Sequence, residues 1–367
     1  MPLHRVILPP EADLLMQVVE LQRALLRSLC DEATQAEDIS VEWLQWVWPA
    51  QEAKWVEKFC RAGRQNETII PSLKVIAGMT AQAKAGLRQL FEHEIDLELR
   101  FHEGGRFTAV ESLPGLNGQE REAVKSLFKA FYLRFGHNKA DEWPGYNFPD
   151  AGGWRSLSRK QYADAFLKAN QTAEPPLWVC PFCDGQIENP PLDHYYPKGR
   201  FPLFSCHPEN LVPICTKCNE FEAKGEKIPL NTEEAEPAAD WLHPYFRTAP
   251  DDVFVELTGV PPDPVPKLVS PTAWHQKQVG NHAWLVNLES RWQTRAAQYF
   301  ASLRAQYMQP KWRSRLSALA ASEREDHRIK RGIEESSLLK VAVCQAILDD
   351  KPGYRGEISR SRLRVVG

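Results

Sequence analysis

Two Cys-x-x-Cys pairs and the residues between them form the most informative stretch of this sequence: Cys180-Pro181-Phe182-Cys183, then Leu192-Asp193-His194-Tyr195-Tyr196-Pro197-Lys198, then Asn210-Leu211-Val212-Pro213-Ile214-Cys215-Thr216-Lys217-Cys218-Asn219. The four cysteines offer soft thiolate ligands for one metal ion. The Asp-His pair and the two asparagines offer hard oxygen ligands and a base for a second site. The stretch therefore contains two distinct sets of candidate metal ligands.

The spacing of Cys180, Cys183, Cys215 and Cys218 predicts a zinc site. Each pair has the two-residue gap of a zinc knuckle, and residues 184–214 separate the two pairs. Four unrelated buried cysteines would not be expected to fall into two such pairs. A redox role is disfavoured because no thioredoxin-like βαβ pattern surrounds either pair. The Zn²⁺ is expected to be structural, since protein ligands fill all four tetrahedral positions and leave none for water.

Length and composition indicate an ordinary globular protein. The chain has 367 residues, of which 43% are hydrophobic and 25% charged, and this length is enough for two or three domains. No apolar stretch is long enough to span a membrane, and the N-terminus lacks the apolar region of a signal peptide. The other cysteines, Cys30, Cys60, Cys206 and Cys344, are scattered, which disfavours a disulfide framework. We therefore expect a cytoplasmic protein with no membrane partner.

Helical patterns dominate on both sides of the zinc stretch. Apolar residues at three- and four-residue intervals predict helices over 11–34, from 80 to about 99, and over 119–135, 158–169, 280–307, 313–321 and 323–348. Turn formers predict an irregular segment at 136–153, and polar or Pro-rich stretches predict linkers at 171–176, 231–240 and 260–271. The predicted organisation is a helical N-terminal region (1–170), a zinc-stapled core (171–250) and a helical C-terminal region (251–367). The predicted fold class is mainly α with a small α+β insert.

Two local features stand out in the N-terminal region. Asp38 and Ser40 offer a cap for a helix beginning in the aromatic stretch Val41–Trp48, and Thr80 is expected to cap the helix that follows it. The aromatic stretch is expected to pack in a core rather than to stack on bases. A helical pattern resumes over Lys54–Cys60. The region carries no recognisable chemical motif.

The zinc stretch resembles the HNH nuclease family, whose ββα-metal core carries these elements in the same order. The matching motifs are Cys-x-x-Cys, Leu-Asp-His-Tyr-Tyr-Pro-Lys, Asn-Leu-Val-Pro-Ile-Cys-x-x-Cys-Asn and a later Lys-Gly, and they span Cys180–Gly225, 46 of the 367 residues. The resemblance implies a metal-dependent endonuclease with His194 as general base. It also implies Asp193 and Asn219 as ligands of a catalytic Mg²⁺ or Mn²⁺, and Asn210 as the residue that ties the loop and helps to orient the base.

Elementary chemistry agrees with those roles. Hydrolysis of a phosphodiester needs a base with a pKa near neutrality, which histidine supplies. It also needs a cation to neutralise charge in the transition state, and carboxylate and amide oxygens favour Mg²⁺ or Mn²⁺ over zinc. The third ligand of this cation stays open between Glu220, Glu222 and water. His207, beside Pro208, is expected to be a loop residue rather than a ligand.

The sequence departs from the family pattern after the second knuckle. In many relatives Lys-Gly follows the final Cys-Asn after two residues, whereas here Lys224 and Gly225 come later. The helix that carries Asn219 is therefore expected in a different register. Lys224 is still expected to end that helix, with Gly225 as its C-cap.

A second, shorter resemblance lies downstream. Trp241-Leu242-His243-Pro244-Tyr245-Phe246 resembles an element that follows the HNH core in a subgroup associated with bacterial phage defence, including Septu-type and retron-linked nucleases. Arg247 stands where that subgroup usually has an acidic residue. His243 is a candidate site residue, but packing against the core is the preferred interpretation. The subgroup implies an ATPase or sensor partner subunit.

Charge directs the expected nucleic-acid contacts away from the zinc core. Residues 172–230 hold eight acidic and five basic side chains, and such a surface binds a polyanion poorly. Residues 304–331 hold eight basic and three acidic side chains, so the C-terminal helices are expected either to contact phosphates or to be an ordinary solvated face. DNA is the expected partner, and the sequence leaves RNA open. The alternative function is a non-catalytic zinc module that binds nucleic acid or protein.

Overall fold

A computed structural model of the chain describes residues 3–47, 69–134, 146–150, 153–249, 252–261, 263–312, 315–351 and 353–360. These residues form a mainly helical protein with three two-stranded antiparallel sheets. The predicted class, mainly α with a small β component, is therefore confirmed. None of the helices in these ranges is long and apolar enough to cross a membrane.

The helices and strands are numbered here in chain order. Before the zinc stretch lie α1 (Ala12–Leu29), α2 (Val41–Val47), α3 (Ile70–Ala77), α4 (Ala81–Glu94), α5 (Leu97–His102), α6 (Gly118–Arg134), β1 (Tyr146–Asp150), β2 (Gly153–Leu157) and α7 (Arg159–Gln171). The zinc stretch contains β3 (Leu192–His194), β4 (Leu211–Pro213) and α8 (Thr216–Asn219). After it lie β5 (Phe254–Thr258), β6 (Val265–Val269), α9 (Ala273–Leu285), α10 (Leu288–Tyr307), α11 (Leu316–Ile329), α12 (Ser337–Leu348) and α13 (Tyr354–Arg360).

Local capping explains where several helices begin. The Thr80 hydroxyl accepts a hydrogen bond from the Ala83 N–H at 3.2 Å, and the Ser40 hydroxyl accepts one from Trp43 at 3.1 Å, as expected for N-cap residues. The helix predicted to run from 80 to about 99 is interrupted, because the Asp96 carboxylate accepts from the Leu99 N–H at 3.0 Å and caps a new helix, α5. Side-chain caps therefore divide this part of the chain into short helices.

Other predicted elements are wrong in extent. Strands β1 and β2 pair antiparallel, and β1 lies inside the segment predicted to be irregular at 136–153. The predicted linker at 260–271 contains strand β6. The long helix predicted over 280–307 is two helices, α9 and α10, because Asn287 adopts a left-handed backbone with φ 49°. The left-handed Ser336 likewise separates α11 from α12 within the helix predicted over 323–348.

The aromatic stretch at 41–48 packs only in part. Leu44 is fully buried and Trp43 packs against the core, whereas Trp46 is 88% exposed. Trp48 and Lys54–Cys60 lie outside the described residues. The predicted packing role therefore applies to one of the two described tryptophans.

One hydrophobic cluster runs through the whole described chain. It joins Leu15 of α1, Phe182 of the first knuckle and Val343 of α12, each of which is fully buried. The boundaries at 170 and 250 stay predictions, because continuous packing of this kind neither requires nor forbids separate domains. The zinc stretch lies inside this packing rather than at its edge.

Asp184, directly after the first knuckle, connects three distant parts of the chain. Its fully buried carboxylate accepts a hydrogen bond from the His4 ring Nε2 at 2.8 Å and another from the Leu338 backbone N–H at 3.1 Å. Its backbone carbonyl accepts from Ser336 at 2.5 Å. Asp184 has φ 54°, a left-handed conformation that Asp tolerates better than most residues. The knuckle therefore docks the N-terminal segment and α12 through one side chain.

Replacing Asp184 by glycine should lower the free energy of unfolding by about 3 kcal/mol, because the carboxylate accepts charge-assisted hydrogen bonds in a buried site. Asp184→Ala should cost about 1 kcal/mol more, because alanine resists the left-handed backbone. Asp184→Asn is the matched control, and its free energy of unfolding should fall the least of the three variants. Chemical denaturation of the zinc-loaded protein measures all three, and a glycine variant as stable as the parent would contradict the role.

Candidate functional site

The four cysteines of the two knuckles meet in space. Their sulfur atoms all lie within 4.8 Å of one another, and all four side chains are buried. The Cys180 and Cys218 sulfurs are 3.9 Å apart, and the Cys183 and Cys215 sulfurs are 3.6 Å apart. Tetrahedral zinc with Zn–S bonds of about 2.3 Å requires sulfur pairs about 3.8 Å apart. These four residues could therefore hold a zinc ion.

Backbone turns hold each knuckle in shape. In the first, the Cys180 N–H donates to the Gly185 carbonyl at 2.7 Å, and Val179 forms a bridge with Gln186. In the second, the Cys218 N–H donates to the Cys215 carbonyl at 3.0 Å at the start of α8. The two knuckles approach closely enough for the Cys215 N–H to donate to the Cys180 sulfur at 3.4 Å.

Arg291 of α10 stands beside this cluster, and sequence reasoning missed it. Its guanidinium donates to the Cys218 sulfur at 3.2 Å and to the Cys183 sulfur at 3.4 Å. Burial disfavours the charge on this guanidinium, but the neighbouring Cys218 and Cys183 raise the pKa of Arg291 above its ordinary value. Four thiolates around Zn²⁺ carry a net charge of about −2 by ligand counting, so a fixed cation lowers the cost of burying them. Arg291 is too distant in sequence for any spacing rule to assign it.

His194 lies at the end of β3, which pairs antiparallel with β4 in the register His194–Leu211. The His194 ring is buried and its Nε2 donates to the Ser205 carbonyl at 3.0 Å. This contact places the proton on Nε2 and leaves the lone pair on Nδ1. Burial, with a further contribution from Lys198, holds the pKa of His194 well below its ordinary value. The imidazole is therefore neutral at pH 7.

Asn210 is fully buried and bonded to the loop between β3 and β4. Its side-chain amide donates to the carbonyls of Tyr196 and Phe204, both at 3.1 Å, and its amide oxygen accepts from the Tyr196 N–H at 2.7 Å. Because Phe204 immediately precedes Ser205, the Asn210 amide and the His194 ring hold adjacent carbonyls of one loop.

Asp193 and Asn219, the expected ligands of a catalytic cation, have different surroundings. The Asp193 carboxylate pairs with the Lys224 ammonium at 2.8 Å, and Lys224 also donates to the His194 carbonyl at 2.6 Å. Burial raises the pKa of Asp193, while Lys224 opposes that rise. Asn219 is exposed at the last position of α8. As folded, these residues do not present a free set of donors for Mg²⁺ or Mn²⁺.

The expected position of Lys224 is wrong. Helix α8 ends at Asn219 because Glu220 adopts an extended backbone, so neither Lys224 nor Gly225 terminates that helix. Turns carry the chain from Glu220 back toward β3, and the Lys224 side chain is only 1% exposed. The longer spacing noted in the sequence therefore places the buried ammonium beside Asp193.

The other candidate residues have structural partners. His207 is buried and its Nε2 donates to the Ile95 carbonyl at 3.0 Å, and burial lowers the pKa of His207 to about 4. His243 stacks on Phe246 at 4.1 Å between ring centroids, so the expected packing is found. Glu220 pairs with Lys217 at 3.1 Å. Neither histidine lies within ligand distance of the four cysteines.

The part of the chain that the structure describes holds one further group of possible metal ligands, Asp326, His327 and Glu334. Lys330 pairs with Asp326 at 2.7 Å and Lys340 pairs with Glu334 at 2.5 Å. The two lysines already neutralise both carboxylates, which leaves little net attraction for a cation.

Comparison with known proteins gives limited similarity. No family model matches the chain, and no solved structure matches it. The chain is similar to protein ea31 of Escherichia phage lambda, with 30% identity over 137 residues. That alignment covers 34% of this chain and 43% of the phage protein, so the chain spans less than half the length of this relative.

Purified protein should contain about one tightly held zinc ion per chain, and Cys180→Ser or Cys215→Ser should unfold the region, because metal-binding energy in such a site is folding energy. Cys344→Ser, at a buried cysteine outside the cluster, is the control and should keep its zinc. Elemental analysis and thermal unfolding measure both effects. Well-folded Cys180→Ser protein without zinc would refute a structural site.

The Asp193–Lys224 pair should behave as a coupled buried ion pair. Lys224→Met should destabilise the protein by about 3–5 kcal/mol, because it leaves a carboxylate buried without its partner. The double variant Asp193→Asn with Lys224→Met should recover much of that loss. Urea denaturation of the parent, both single variants and the double variant gives the coupling energy, and additive losses would show that the two groups do not interact.

Proposed function

We propose that this chain is an HNH-type endonuclease that hydrolyses phosphodiester bonds of DNA, with His194 as general base. The observation that carries this proposal is the His194 geometry: Nε2 is bound to the Ser205 carbonyl, so a neutral ring has its lone pair on Nδ1. Two antiparallel strands followed by a short helix, framed by the cluster of four cysteines, support the resemblance to a ββα-metal core.

Two cations near His194 support a phosphate substrate despite the acidic balance of the zinc core. The Tyr132 and His194 rings pack edge to face, with centroids 4.3 Å apart. The Lys198 ammonium lies 5.3 Å from the Tyr132 ring centroid, and the Arg159 guanidinium lies 5.4 Å from it. A phosphodiester placed between these groups would meet positive charge beside the base. Neither cation was singled out from the sequence.

The proposed reaction follows from what these residues can do. The Nδ1 atom of His194 takes a proton from water as the water oxygen attacks phosphorus. The bond from phosphorus to the leaving oxygen breaks, and that oxygen keeps the electron pair and takes a proton from solvent water. Lys198 and Arg159 offset the charge on the phosphate oxygens, while Asn210 and the Ser205 carbonyl keep the loop and the ring in place. The zinc, when bound, supplies structure only.

The role of a second metal rests on the resemblance. Binding of Mg²⁺ or Mn²⁺ by Asp193 and Asn219 would require Asp193 to exchange Lys224 for the cation. A cytoplasmic role in anti-phage defence, and an ATPase or sensor partner, likewise rest on the short element at Trp241–Phe246.

A second candidate function is a non-catalytic zinc module that binds nucleic acid or protein. The Asp193–Lys224 ion pair favours it, because that pair occupies the carboxylate that a catalytic cation would need. In this alternative the same strand pair and knuckles serve only to shape a surface, and His194 is a buried structural residue.

His194→Ala should reduce cleavage of plasmid DNA by about 10²–10⁴-fold, because it removes the general base. Cleavage is measured with zinc-loaded protein in Mg²⁺ and in Mn²⁺, with an RNA substrate in parallel. His93→Ala, at an exposed histidine of α4, is the matched control and should cut at the parental rate. Folded, zinc-containing His194→Ala that cuts as fast as the parent would exclude the proposed mechanism, and a parent that never cuts would favour the non-catalytic module.

A further inference from the structure

A cavity of about 980 Å³ lies away from His194, against the first knuckle. Its walls come from the segment before α1, the segment after α7, helix α9 and the end of α11. His4, one of its lining residues, also donates to Asp184 beside Cys183, so the cavity borders the zinc stretch. This volume is near the upper end of the range of about 300–1,000 Å³ that is usual for ligand pockets.

The cavity lining is strongly cationic. Arg5, Arg247, Arg328 and Arg331 line it, against the single carboxylate of Glu174. The Arg247 guanidinium is used internally, since it donates to the Ala238 carbonyl at 2.6 Å and to further carbonyls nearby.

Two of these arginines are available to a ligand. Arg328 pairs with Glu325 on its own helix at 2.8 Å. Arg5 and Arg331 form no ion pair or side-chain hydrogen bond with a described residue, and Arg5 is exposed while Arg331 is half-buried. Among the described residues, the cavity therefore presents two guanidinium groups without an ion pair, and such groups are suited to phosphate oxygens.

An indole stands with these cations. Trp274, near the start of α9, lines the cavity and is 54% exposed. Trp178, 51% exposed, lies next to the lining residue Leu177, and its backbone N–H donates to Gly332 of the lining at 2.7 Å. An exposed tryptophan costs hydrophobic free energy, and an indole beside arginines is the kind of surface on which nucleic-acid bases stack.

Part of the rest of the expected basic surface is neutralised by ion pairs. Arg304 pairs with Glu357 at 3.9 Å, and Lys330 pairs with Asp326 at 2.7 Å. Arg313 lies outside the described residues. Arg304, Arg328 and Lys330 are thus ion-paired, while Arg331 at the end of the stretch lines the cavity. At the cavity, the guanidinium groups of Arg5 and Arg331 are accompanied by the exposed indole of Trp274.

We propose that this cavity binds a single-stranded segment of nucleic acid, with phosphates at Arg5 and Arg331 and an unstacked base against Trp274. The choice of a strand over a free nucleotide rests on the proposed function. The site is separate from His194, so it would hold part of the substrate without taking part in the chemistry.

The test uses zinc-loaded protein without added Mg²⁺ or Mn²⁺ and a fluorescein-labelled poly-dT strand of about 20 nucleotides. Binding is measured as fluorescence anisotropy over a series of salt concentrations. The double variant Arg5→Gln with Arg331→Gln should lower the slope of log affinity against log salt by about 1.4, that is about 0.7 for each lost phosphate contact on a single strand. Trp274→Ala should weaken binding by at least about fivefold with the slope unchanged.

The matched control is the double variant Lys74→Gln with Lys125→Gln, which removes two surface charges on α3 and α6. Its slope of log affinity against log salt should differ from the parental slope by no more than about 0.3, half the value for one phosphate contact. Parental affinity and slope in the arginine double variant would overturn the proposal, and so would a parent that does not bind the strand. ATP and inorganic phosphate are tested as competitors, and binding of ATP without binding of the strand would also overturn it. A failed His194 test would leave these binding results unchanged, so the two proposals are judged separately.

Discussion

The close approach of four cysteine sulfurs is the constraint on which much of this structure depends. Sulfurs 3.6 Å and 3.9 Å apart in two pairs join residues 180–183 to residues 215–218, and a bound zinc would make that junction rigid. The first knuckle then anchors other parts of the chain: the His282 ring donates to the Phe182 carbonyl at 2.7 Å, and the Trp292 indole donates to the Cys183 carbonyl at 3.2 Å. Helices α9 and α10 are thus packed on the knuckle by their polar side chains.

Burial makes the electrostatics of the zinc stretch depend on specific partners. Arg291 sits against the thiolates, and Lys224 sits against Asp193, so each of these buried negative groups has a cation within hydrogen-bond distance. An unpaired charge in such surroundings would cost several kcal/mol, roughly the size of a domain's whole stability. The same requirement limits function, because a carboxylate that is already neutralised attracts a divalent cation only by giving up its partner.

The effect of surface charges likewise depends on the partners that folding gives them. A stretch rich in arginine and lysine offers little attraction for a polyanion when Glu and Asp one helical turn away hold those cations, as Glu325 and Asp326 hold Arg328 and Lys330. A count of charges along the chain therefore overestimates how strongly the C-terminal helices attract a polyanion. Cations without a carboxylate partner remain free to attract phosphate. Within the described part of the chain, Arg5 and Arg331 are of this kind, and they come from distant parts of the chain.

Features that depend on neighbours along the chain could be predicted from the sequence. The spacing of Cys180, Cys183, Cys215 and Cys218 predicted the cluster that the fold assembles, and the Thr80 and Ser40 caps were predictable because a cap bonds an N–H only three residues away. Much of the helical pattern was predictable for the same reason, and its errors fall where Asp96 caps a new helix or where Asn287 adopts a left-handed backbone. The distant groups that meet are visible only in the folded chain: Arg291 at the sulfurs, Lys224 at Asp193, and Arg5 with Arg331 at one cavity. These partners are set by burial and three-dimensional packing, which give each charge its neighbours and leave no periodic or spacing signal in the sequence.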